Sequence, residues 1–394
     1  MKVLQVHNRY RSSAPSGEDA VVLQERELLA ANGVEVVTYE RHNDEIVGPA
    51  RLLRAAVETV WSRSARDEVR RLIRRERPDV AHFHNVWYSI SPSALQACRD
   101  EGVPVALTLH NYRMFCANGM LLRNGSVCED CVGRLPWAGL AHGCFRSRLH
   151  SIPVVLSETV HAVGGTWTRC VGAFIALTEF ARAKYVECGL PRDRVVVKPN
   201  FLARPPPEPG RDAGYGIFLG RLSVEKGIET LLGALRTVDY PVKIVGDGPA
   251  RAALQALRDR WGLRTVEFTG QLPWSECQRL LSEASFLVVP SIWYENFPMV
   301  IAEAFACARP VIASRLGALP ELIRDGATGL LFEARQEQDL ATKLRELAAD
   351  PGRRTEMGKV ARRECLERYG PKRNFELLTS AYQLAARSVG RTPP

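Results

Sequence analysis

Several features are missing from this 394-residue sequence, and each absence narrows its function. It has no run of about 18 apolar residues, so no membrane-spanning helix is predicted. It has no helix-turn-helix or RNA-recognition signature, and its arginines do not alternate with aromatic residues, so nucleic-acid binding is not expected. The loop at residues 7–17 contains a single glycine, whereas a dinucleotide-binding fold would carry G-x-G-x-x-G there. A nicotinamide-dependent oxidoreductase is therefore not favoured.

Histidine is absent from the second half of the chain, since all eight histidines lie within residues 7–161. Imidazole chemistry therefore belongs to the first half. A single histidine has a structural role by default, but His110 directly follows residues 105–109, which we predict to be a strand. Polar residues just beyond the carboxyl ends of parallel strands are where α/β sheets bind ligands, so His110 is a better candidate than His42 or His142.

The charge and the cysteines indicate the class of partner and the compartment. A net charge of +9 and a pI near 9.1 favour an anionic partner, and a nucleotide, a nucleic acid or an anionic membrane surface would each fit. The sequence opens on a predicted strand, residues 2–6, rather than on a signal peptide. Ten cysteines in such a chain favour a reducing cytosol, with thiols or metal ligands instead of disulfides. We expect a cytoplasmic protein, either dissolved or resting peripherally on the inner face of the membrane.

Apolar strands alternate with helices along the whole sequence, which predicts an α/β protein with parallel sheets. A chain of 394 residues is long for one hydrophobic core, so two domains are expected. The proline-rich segment at residues 204–213 cannot continue a strand or a helix and is the predicted linker. It separates an N-terminal domain, residues 1–203, from a second domain, residues 214–369, and a last helical segment follows at residues 370–394.

Residues 49–77 are predicted to form a very arginine-rich helix. The apolar residues that recur there at helical spacing are Leu52, Leu53, Ala56, Val57, Val60 and Trp61. A basic amphipathic helix of this kind can rest on anionic lipid. The alternative is a solvated helix face in an arginine-rich chain, and the sequence does not separate the two interpretations.

Four cysteines in the segment 114–150 have the spacing C-x11-C-x2-C-x12-C, and they are Cys116, Cys128, Cys131 and Cys144. A C-x2-C pair with two flanking cysteines can close a tetrahedral thiolate site for zinc. The segment shows little helical or strand periodicity, and a loop of this length usually has a function or a structural cross-link. We therefore hypothesise a structural zinc ion. The alternative is a loop with four thiols and no metal.

One segment of the second half combines an apolar strand, a polar turn and an apolar helix. We predict the strand at residues 286–289 and the helix at residues 299–308, with Pro298 at the first helical position, where no N–H is needed. The helix start presents unpaired N–H groups and a positive dipole end, which together form an anion site. Glu295 and Glu303 would then face one ligand, with phosphate at the helix start and hydroxyl groups at the carboxylates. The alternative is a core strand and helix with two solvated glutamates.

A second motif of the same half is Gly220-Arg221-Leu222-Ser223-Val224-Glu225-Lys226-Gly227. With Glu295 and Glu303 following it, separated by seven intervening residues, the motif resembles the retaining family 4 glycosyltransferases of the GT-B fold. The resemblance covers nearly the whole chain and extends to Gly17 in the first loop. The run His110-Asn111-Tyr112-Arg113 with the downstream cysteines is similar to a bacterial subgroup linked to polysaccharide assembly.

The resemblance implies two Rossmann-like domains with parallel sheets that face each other across a cleft, and a C-terminal helix that crosses back to the N-terminal domain. A nucleotide-sugar donor, either a UDP-sugar or a GDP-sugar, would lie mainly on the second domain and the acceptor mainly on the first. The implied catalytic residues are His110, Arg221, Lys226 and Glu295. The implied donor-binding residues are Gly17, Arg221, Lys226, Gly246, Gly270, Glu295, Phe297, Met299, Val300 and Glu303. The implied acceptor residues are Asn111, Tyr112 and Arg113, beside a pocket wall that the zinc would shape.

The resemblance also implies individual roles. Glu303 matches the carboxylate that binds the donor ribose, Glu295 matches the one near the sugar hydroxyls, and His110 would contact the sugar at its 6-position. Two motifs depart from the family pattern. Ser16-Gly17 stands where Gly-Gly is frequent, and Glu295-Asn296-Phe297-Pro298 stands where Glu-Gly-Phe-Gly is frequent. Pro298 has no N–H to donate, so the donor geometry at the helix start, and the identity of the donor with it, stays open.

The resemblance implies a retaining glycosyltransferase that moves a sugar from a nucleotide-diphosphate sugar to a hydroxyl of a glycan or lipid-linked glycan in cell-surface polysaccharide assembly. Because Arg221, Lys226 and the helix start supply positive charge, catalysis is expected to need no metal or other cofactor, and zinc would be structural. One alternative is a glycosyltransferase that acts on a small secondary-metabolite acceptor. The other is a GT-B protein that binds a nucleotide sugar without turnover.

Overall fold

A computed structural model describes residues 1–10, 12, 17–204 and 209–390. The chain divides into two compact units. Unit 1 comprises Met1–Leu121, Cys128–Asn200 and Asn374–Pro394, and unit 2 comprises Leu122–Val127 and Phe201–Arg373. Ser16 and residues 205–208 of the predicted linker lie outside the described residues.

Strands and helices alternate through the first 200 residues. In chain order they are β1 (Lys2–Arg9), α1 (Gly17–Ala31), β2 (Glu35–His42), α2 (Pro49–Val60), α3 (Arg63–Glu76), β3 (Val80–Phe83), α4 (Ser93–Asp100), β4 (Val105–Leu109), β5 (Leu122–Arg123), β6 (Ser126–Val127), α5 (Trp137–Ala141), α6 (Arg148–Val163), α7 (Thr166–Cys170), β7 (Ala173–Ala176), α8 (Glu179–Glu187) and β8 (Val195–Val197).

The alternation continues to the end of the chain. The further elements are β9 (Gly216–Leu219), α9 (Ile228–Leu235), β10 (Val242–Val245), α10 (Arg251–Arg260), β11 (Val266–Gly270), α11 (Trp274–Glu283), β12 (Phe286–Val289), α12 (Met299–Ala306), β13 (Val311–Ser314), α13 (Leu319–Leu322), β14 (Gly329–Phe332), α14 (Glu337–Ala349), α15 (Pro351–Arg368) and α16 (Pro371–Ser388).

Unit 1 is built on a parallel six-stranded sheet in the order β2-β1-β3-β4-β7-β8. Every residue of β3, β4 and β7 is buried, as expected for strands covered by helices on both faces. Helix α16 contributes Leu378 and Tyr382 to the core that contains Val3 and Val80. The C-terminal helix therefore belongs to the core of unit 1, as the family resemblance implied.

Unit 2 contains a second parallel six-stranded sheet, in the order β11-β10-β9-β12-β13-β14. Its core includes Ile244, Phe286, Val288 and Ile312 from three of these strands. The strand order reverses between β9 and β12, and ligands of doubly wound sheets bind outside the carboxyl ends of strands at such a point. The two sheets confirm the predicted fold class of two Rossmann-like domains.

Two predicted helices differ from the structure. Residues 49–77 form two helices, α2 and α3, with Trp61 and Ser62 between them. Helix α12 ends at Ala306 rather than at residue 308. Within the described ranges, every helix is too short or too polar to span a lipid bilayer.

Candidate active site

Two loops of unit 2 leave neighbouring strands where the strand order reverses. Residues 220–227 follow β9, and residues 290–298 follow β12. The two strands pair in parallel, with Leu287 beside Ile217, so both loops emerge from the same edge of the sheet. The sequence motifs that carry the family resemblance are therefore brought together at the switch point of the sheet.

These two loops pack against each other through their backbones. The N–H of Ile292 donates to the carbonyl oxygen of Glu225 over 2.9 Å. Gly227 has a φ of +65°, and a Cβ built on it would lie 1.9 Å from the carbonyl oxygen of Pro290. Any larger residue would push the loops apart, so this glycine keeps Lys226 against the second loop.

Lys226 and Glu295 form the ion pair at the centre of the candidate site. Lys226 Nζ lies 2.7 Å from Glu295 Oε1, and the hydroxyl of Ser291 donates to the same oxygen over 2.7 Å. The side chain of Glu295 is 6% exposed, and Lys226 Nζ also lies 5.5 Å from the ring centroid of Trp293. The carboxylate is thus neutralised and held in place, which suits a binding group better than a nucleophile.

Arg221 is the second cation of these loops and is exposed at the end of β9. Among the described residues, no carboxylate pairs with it, in contrast to Lys226. An unpaired guanidinium group next to a paired ammonium group leaves net positive charge for an anionic ligand.

The glycines predicted to lie near the donor bring three strand ends of unit 2 together. The N–H of Gly246 donates to the carbonyl oxygen of Gly270 over 2.9 Å. A Cβ built on Gly246, which has a φ of +137°, would lie 1.9 Å from the carbonyl oxygen of Gly220. The ends of β9, β10 and β11 therefore meet by backbone contact beside the loop that carries Arg221.

The start of α12 has free N–H groups, but its geometry differs from the prediction. Pro298 is the residue before the helix, with φ and ψ of −71° and 107°, and the first helical residue is Met299. No side chain of the described residues caps the helix, so its first N–H groups stay available to an anion. Phe297 is buried, with its ring 5.2 Å from that of Tyr369, and Val300 lies half-buried in the first turn.

Glu303 lies one turn further along α12 in an environment unlike that of Glu295. Burial raises the pKa of its carboxyl group, and no cation of the described residues pairs with it. A buried carboxylate without a cation gains most from ligand hydroxyl groups that donate hydrogen bonds to it. The two glutamates are therefore chemically distinct, one neutralised by Lys226 and one available to a ligand.

In unit 1, His110 follows β4 and His84 follows β3, and these strands are neighbours in the sheet. His84 Nδ1 and His110 Nε2 are 3.0 Å apart, which is a hydrogen-bond distance. Burial lowers the pKa of both imidazole groups well below the usual value, so both rings are neutral at neutral pH. A neutral ring carries one N–H, and one histidine must therefore donate to the other.

The position of Glu25 determines which of the two rings donates the hydrogen bond. His84 Nε2 lies 3.6 Å from Glu25 Oε2, and neither atom has a hydrogen-bond partner within the described part of the chain. Glu25 also forms a fully buried ion pair with Lys198. A proton on His84 Nε2 would face the carboxylate, whereas a lone pair there would be repelled. His110 Nε2 is therefore the donor, and Nδ1 of this half-exposed ring is left as a hydrogen-bond acceptor.

The sequence analysis missed Glu25 and His84. Only His84 had a signal in the sequence, since it directly follows the apolar strand β3 as His110 follows β4. Gly17, in contrast, is the first residue of α1, and a Cβ built on it would meet no atom within 4 Å. No crowding in this structure requires glycine at that position.

The three predicted acceptor residues have different surroundings. Tyr112 is 1% exposed and its ring lies 5.8 Å from that of Tyr185, so it packs in the core of unit 1. Arg113 Nη1 donates to the hydroxyl of Tyr88 over 2.6 Å. The backbone carbonyl of Asn111 accepts a hydrogen bond from the hydroxyl of Tyr185. These contacts position the segment and leave its acceptor role a prediction.

No three of the four cysteines proposed to bind zinc have their sulfur atoms within 4.8 Å of one another. Among the described residues, the one group of His, Cys, Asp and Glu atoms within 4.8 Å of one another is Glu25, His82 and His84. Both nitrogens of His82 bond to hydroxyl groups and Glu25 pairs with Lys198, so His82 has no nitrogen left for a metal ion. The thiol of Cys116 instead lies 3.0 Å from Asn118 Oδ1. Zinc binding stays a prediction, and elemental analysis of protein purified under reducing conditions would test it.

Comparisons with known proteins match both halves of the chain. Residues 16–203 match the family model described as Glycosyltransferase Family 4, and residues 204–364 match Glycosyl transferases group 1. The chain is 34% identical over 324 residues to alpha-maltose-1-phosphate synthase of Mycolicibacterium smegmatis, an alignment that covers 68% of this chain and 81% of that one. It is 35% identical over 147 residues to the uncharacterized glycosyltransferase MJ1178 of Methanocaldococcus jannaschii, covering 37% of this chain but only 42% of that relative.

The fold is similar to that of Anabaena Alr3699/HepE, whose crystal structure was determined in complex with UDP. The TM-score is 0.67 at 17% identity, with 96% of this chain and 99% of the other covered. One assignment follows from two adjoining family matches and a relative that is 34% identical. It agrees with the two parallel sheets and with the motifs of unit 2 at the point where the strand order reverses. The chain belongs to the family 4 glycosyltransferases of the GT-B fold.

Proposed function

We propose that this glycosyltransferase moves a sugar, with retention of anomeric configuration, from a UDP- or GDP-sugar to a hydroxyl of a glycan or lipid-linked glycan in cell-surface polysaccharide assembly. The observation that carries the proposal is the pairing of Lys226 with Glu295 in the loop pair that also holds the unpaired Arg221. The complex of HepE with UDP makes UDP-sugars the first donors to test.

The charges of unit 2 suit the departure of a nucleoside diphosphate. In the proposed reaction, the bond between the anomeric carbon and the diphosphate oxygen breaks, and its electron pair goes to the diphosphate. Arg221, Lys226 and the start of α12 stabilise the charge that develops there more than they stabilise the bound donor. Because these groups supply the positive charge, we propose that catalysis needs no metal ion.

The proposed acceptor attacks on the face from which the diphosphate leaves. Its oxygen forms the new bond to the anomeric carbon, and its proton passes to an oxygen of the departing phosphate. Glu303 would accept hydrogen bonds from the ribose and Glu295 from the sugar. Nδ1 of His110 would accept one from a sugar hydroxyl, at the 6-position. In this mechanism Glu295 aligns the donor and forms no covalent bond to it.

We propose a cytoplasmic location at the inner face of the membrane, because a lipid-linked acceptor would lie there. The high net charge of +9 is consistent with attraction to anionic lipid.

The first test is a binding and hydrolysis screen over UDP-, GDP- and ADP-sugars with a metal chelator present. We expect one donor to bind and to be hydrolysed slowly to free sugar. Lys226→Ala should lower that rate about 100-fold or more, since it removes charge stabilisation of the leaving group. Lys243→Ala, which removes a half-buried lysine paired with Glu267, is the matched control and should hydrolyse the donor like the wild type.

The other outcomes of the screen are equally informative. Binding of one nucleotide sugar, with neither hydrolysis nor transfer to added acceptors, would support a non-catalytic nucleotide-sugar-binding protein. Turnover that stops with the chelator and returns with a divalent metal would contradict metal independence. No binding of any donor would contradict the proposal itself.

A further inference from the structure

The arginine-rich segment of the sequence does not form one free basic face. On α3, Arg66 lies 2.7 Å from Asp100, Arg70 lies 2.8 Å from Glu101, and Arg74 lies 2.9 Å from Glu101. These guanidinium groups join α3 to the end of α4 and so belong to the packing of unit 1. A lipid surface would have to break these ion pairs to use them.

A different surface is exposed on α2 and α6, which pack against each other. Ser157 on α6 donates to the carbonyl oxygen of Thr59 on α2 over 2.8 Å, and the ring of Trp61 stacks on His161. Away from these contacts, apolar side chains of both helices and of the preceding turn remain in solvent. We call this set the α2–α6 face, and it comprises Val47, Leu52, Leu53, Val57, Leu149, Ile152, Leu156, Val160 and Val163.

Helix α6 is apolar on two sides. Its exposed apolar residues are 149, 152, 156, 160 and 163, a spacing of three or four that places them on one side of the helix. Leu149 is 74% exposed and Val163 is 73% exposed, and the stripe between them is about 21 Å long. Val154 and Val155 lie on the buried side. A helix that is apolar all round is normally covered all round, so the exposed stripe needs a partner.

Among the described residues and apart from Glu45, which is exposed before α2, the free charges around the α2–α6 face are positive. Arg51, Arg146 and Arg148 are exposed, and within the described part of the chain they contact carbonyl oxygens or an aromatic ring rather than carboxylates. The only acid of α2, Glu58, pairs with an arginine of the same helix, and the only acid of α6, Glu158, is buried. An apolar face rimmed by uncompensated arginine matches the chemistry of an anionic lipid surface.

We infer that unit 1 rests on an anionic lipid bilayer through the α2–α6 face, with the apolar stripe at the level of the acyl chains and the arginines at the headgroups. This inference refines the membrane contact of the proposed function and rests on it. A second copy of this chain fits less well, because a two-fold interface would set the same arginines against each other.

Flotation of the full chain with lipid vesicles tests the inference. We expect binding to vesicles that contain phosphatidylglycerol and weak binding to pure phosphatidylcholine. Leu149→Gln with Leu156→Gln should reduce the partition coefficient about tenfold or more, because two exposed leucines no longer enter the bilayer. Leu366→Gln with Val389→Gln changes exposed apolar residues elsewhere and should bind vesicles like the wild type.

Charge reversal separates the two arginine sets. Arg51→Glu with Arg148→Glu should weaken binding to phosphatidylglycerol vesicles and lower its salt dependence. The matched variant Arg63→Glu with Arg71→Glu changes exposed arginines of α3 and should bind normally. Loss of binding only in the α3 variant would overturn the inference, as would equal binding by all variants.

Two further outcomes are decisive. Sedimentation velocity that shows a wild-type dimer and a monomeric Leu149→Gln, Leu156→Gln variant would assign the face to a second copy and overturn the inference. Flotation needs no substrate, whereas donor hydrolysis is measured without vesicles. Failure of hydrolysis with intact flotation would therefore contradict the proposed reaction and leave the lipid surface standing.

Discussion

At the scale of single residues, the ionised carboxylate of Glu303 should favour ligand binding but lower the stability of the ligand-free protein. Burial raises the pKa of its carboxyl group above the ordinary value of 4.5, and the described residues give it no cation. The folded state therefore holds the proton more tightly than the unfolded state does. As pH rises from the unfolded pKa through the folded pKa, the unfolded chain ionises first, and the stability of the ligand-free protein falls.

Glu303→Gln should accordingly raise the melting temperature at pH 8, with a gain that disappears near pH 4. The same change should weaken the binding of a sugar nucleotide about tenfold, since a charged acceptor of the ribose hydroxyls is lost. Wild-type affinity should rise with pH, and that of the variant should stay flat, because a diphosphate esterified at both ends does not titrate in this range. Calorimetry and thermal melts measure both effects.

Glu45→Gln is the control for this prediction, because Glu45 is exposed. It should leave both quantities unchanged. A Glu303→Gln variant that binds the sugar nucleotide as tightly as the wild type at pH 8 would return Glu303 to a purely structural role.

His84 is the second residue whose role can be isolated. His84→Leu removes the acceptor for His110 Nε2–H, and we expect the turnover number for donor hydrolysis to fall about tenfold with little change in KM. His84→Asn retains a carbonyl oxygen near the position of Nδ1 and should keep most of the activity. Nitrogen-15 spectra should show wild-type His110 protonated at Nε2 and the Leu variant as a mixture of tautomers. Wild-type His110 protonated at Nδ1 would contradict the argument from Glu25.

At the scale of elements, the strands were the most predictable part of the fold. The predicted strands at residues 105–109 and 286–289 are confirmed to the residue. Parallel strands covered on both faces are continuous apolar runs, and the polar residues that follow them mark their ends. This is why the positions of His110 and of both unit 2 motifs were predictable.

Helix boundaries and side-chain pairings were less predictable. The apolar spacing of residues 49–77 continues through Trp61, yet Ser62 starts a new helix, with its hydroxyl accepting from the N–H of Ala65 over 3.3 Å. The pair Lys226–Glu295 and the chain from Glu25 to His110 depend on which strands become neighbours. Spacing along the sequence does not contain that information, so the individual residues were predicted without their partners.

The contact between Gly246 and Gly220 allows a test at this scale. Gly246→Ala would place a Cβ against a carbonyl oxygen at 1.9 Å and should destabilise unit 2 by about 3 kcal/mol or more. Gly262→Ala also introduces a side chain at positive φ, but no atom lies within 4 Å, so it should cost only about 1 kcal/mol. Urea unfolding measures both. Equal losses would show that backbone strain, and not the meeting of the strand ends, determines the effect.

At the scale of the whole molecule, net charge and composition predicted the class of partner but not where it binds. The charge of +9 pointed to anions, and the arginine density pointed to residues 49–77. In the structure, carboxylates at the end of α4 compensate the arginines of α3. The sequence of α6 does not show which of its apolar residues are exposed, because its buried side is apolar as well. Which charges remain free is a property of the tertiary packing.

The division into two units gives the last prediction. A ligand present at 100 times its Kd stabilises the folded region that binds it by about 2.7 kcal/mol. All the predicted donor-binding residues except Gly17 lie in unit 2. UDP should therefore slow hydrogen exchange mainly in unit 2, at residues 220–227 and 290–303, and much less in the sheet of unit 1. Mass spectrometry of peptides measures this directly.

The same experiment on variants separates specific binding from general stabilisation. Glu303→Gln should show weaker protection at the same UDP concentration, because its affinity is lower, whereas Glu45→Gln should match the wild type. Protection confined to unit 1 would contradict donor binding by the unit 2 loops. Hydrogen exchange reports on binding without turnover, so the result does not depend on knowing the acceptor. It would identify the unit that binds the donor nucleotide before any search for the acceptor begins.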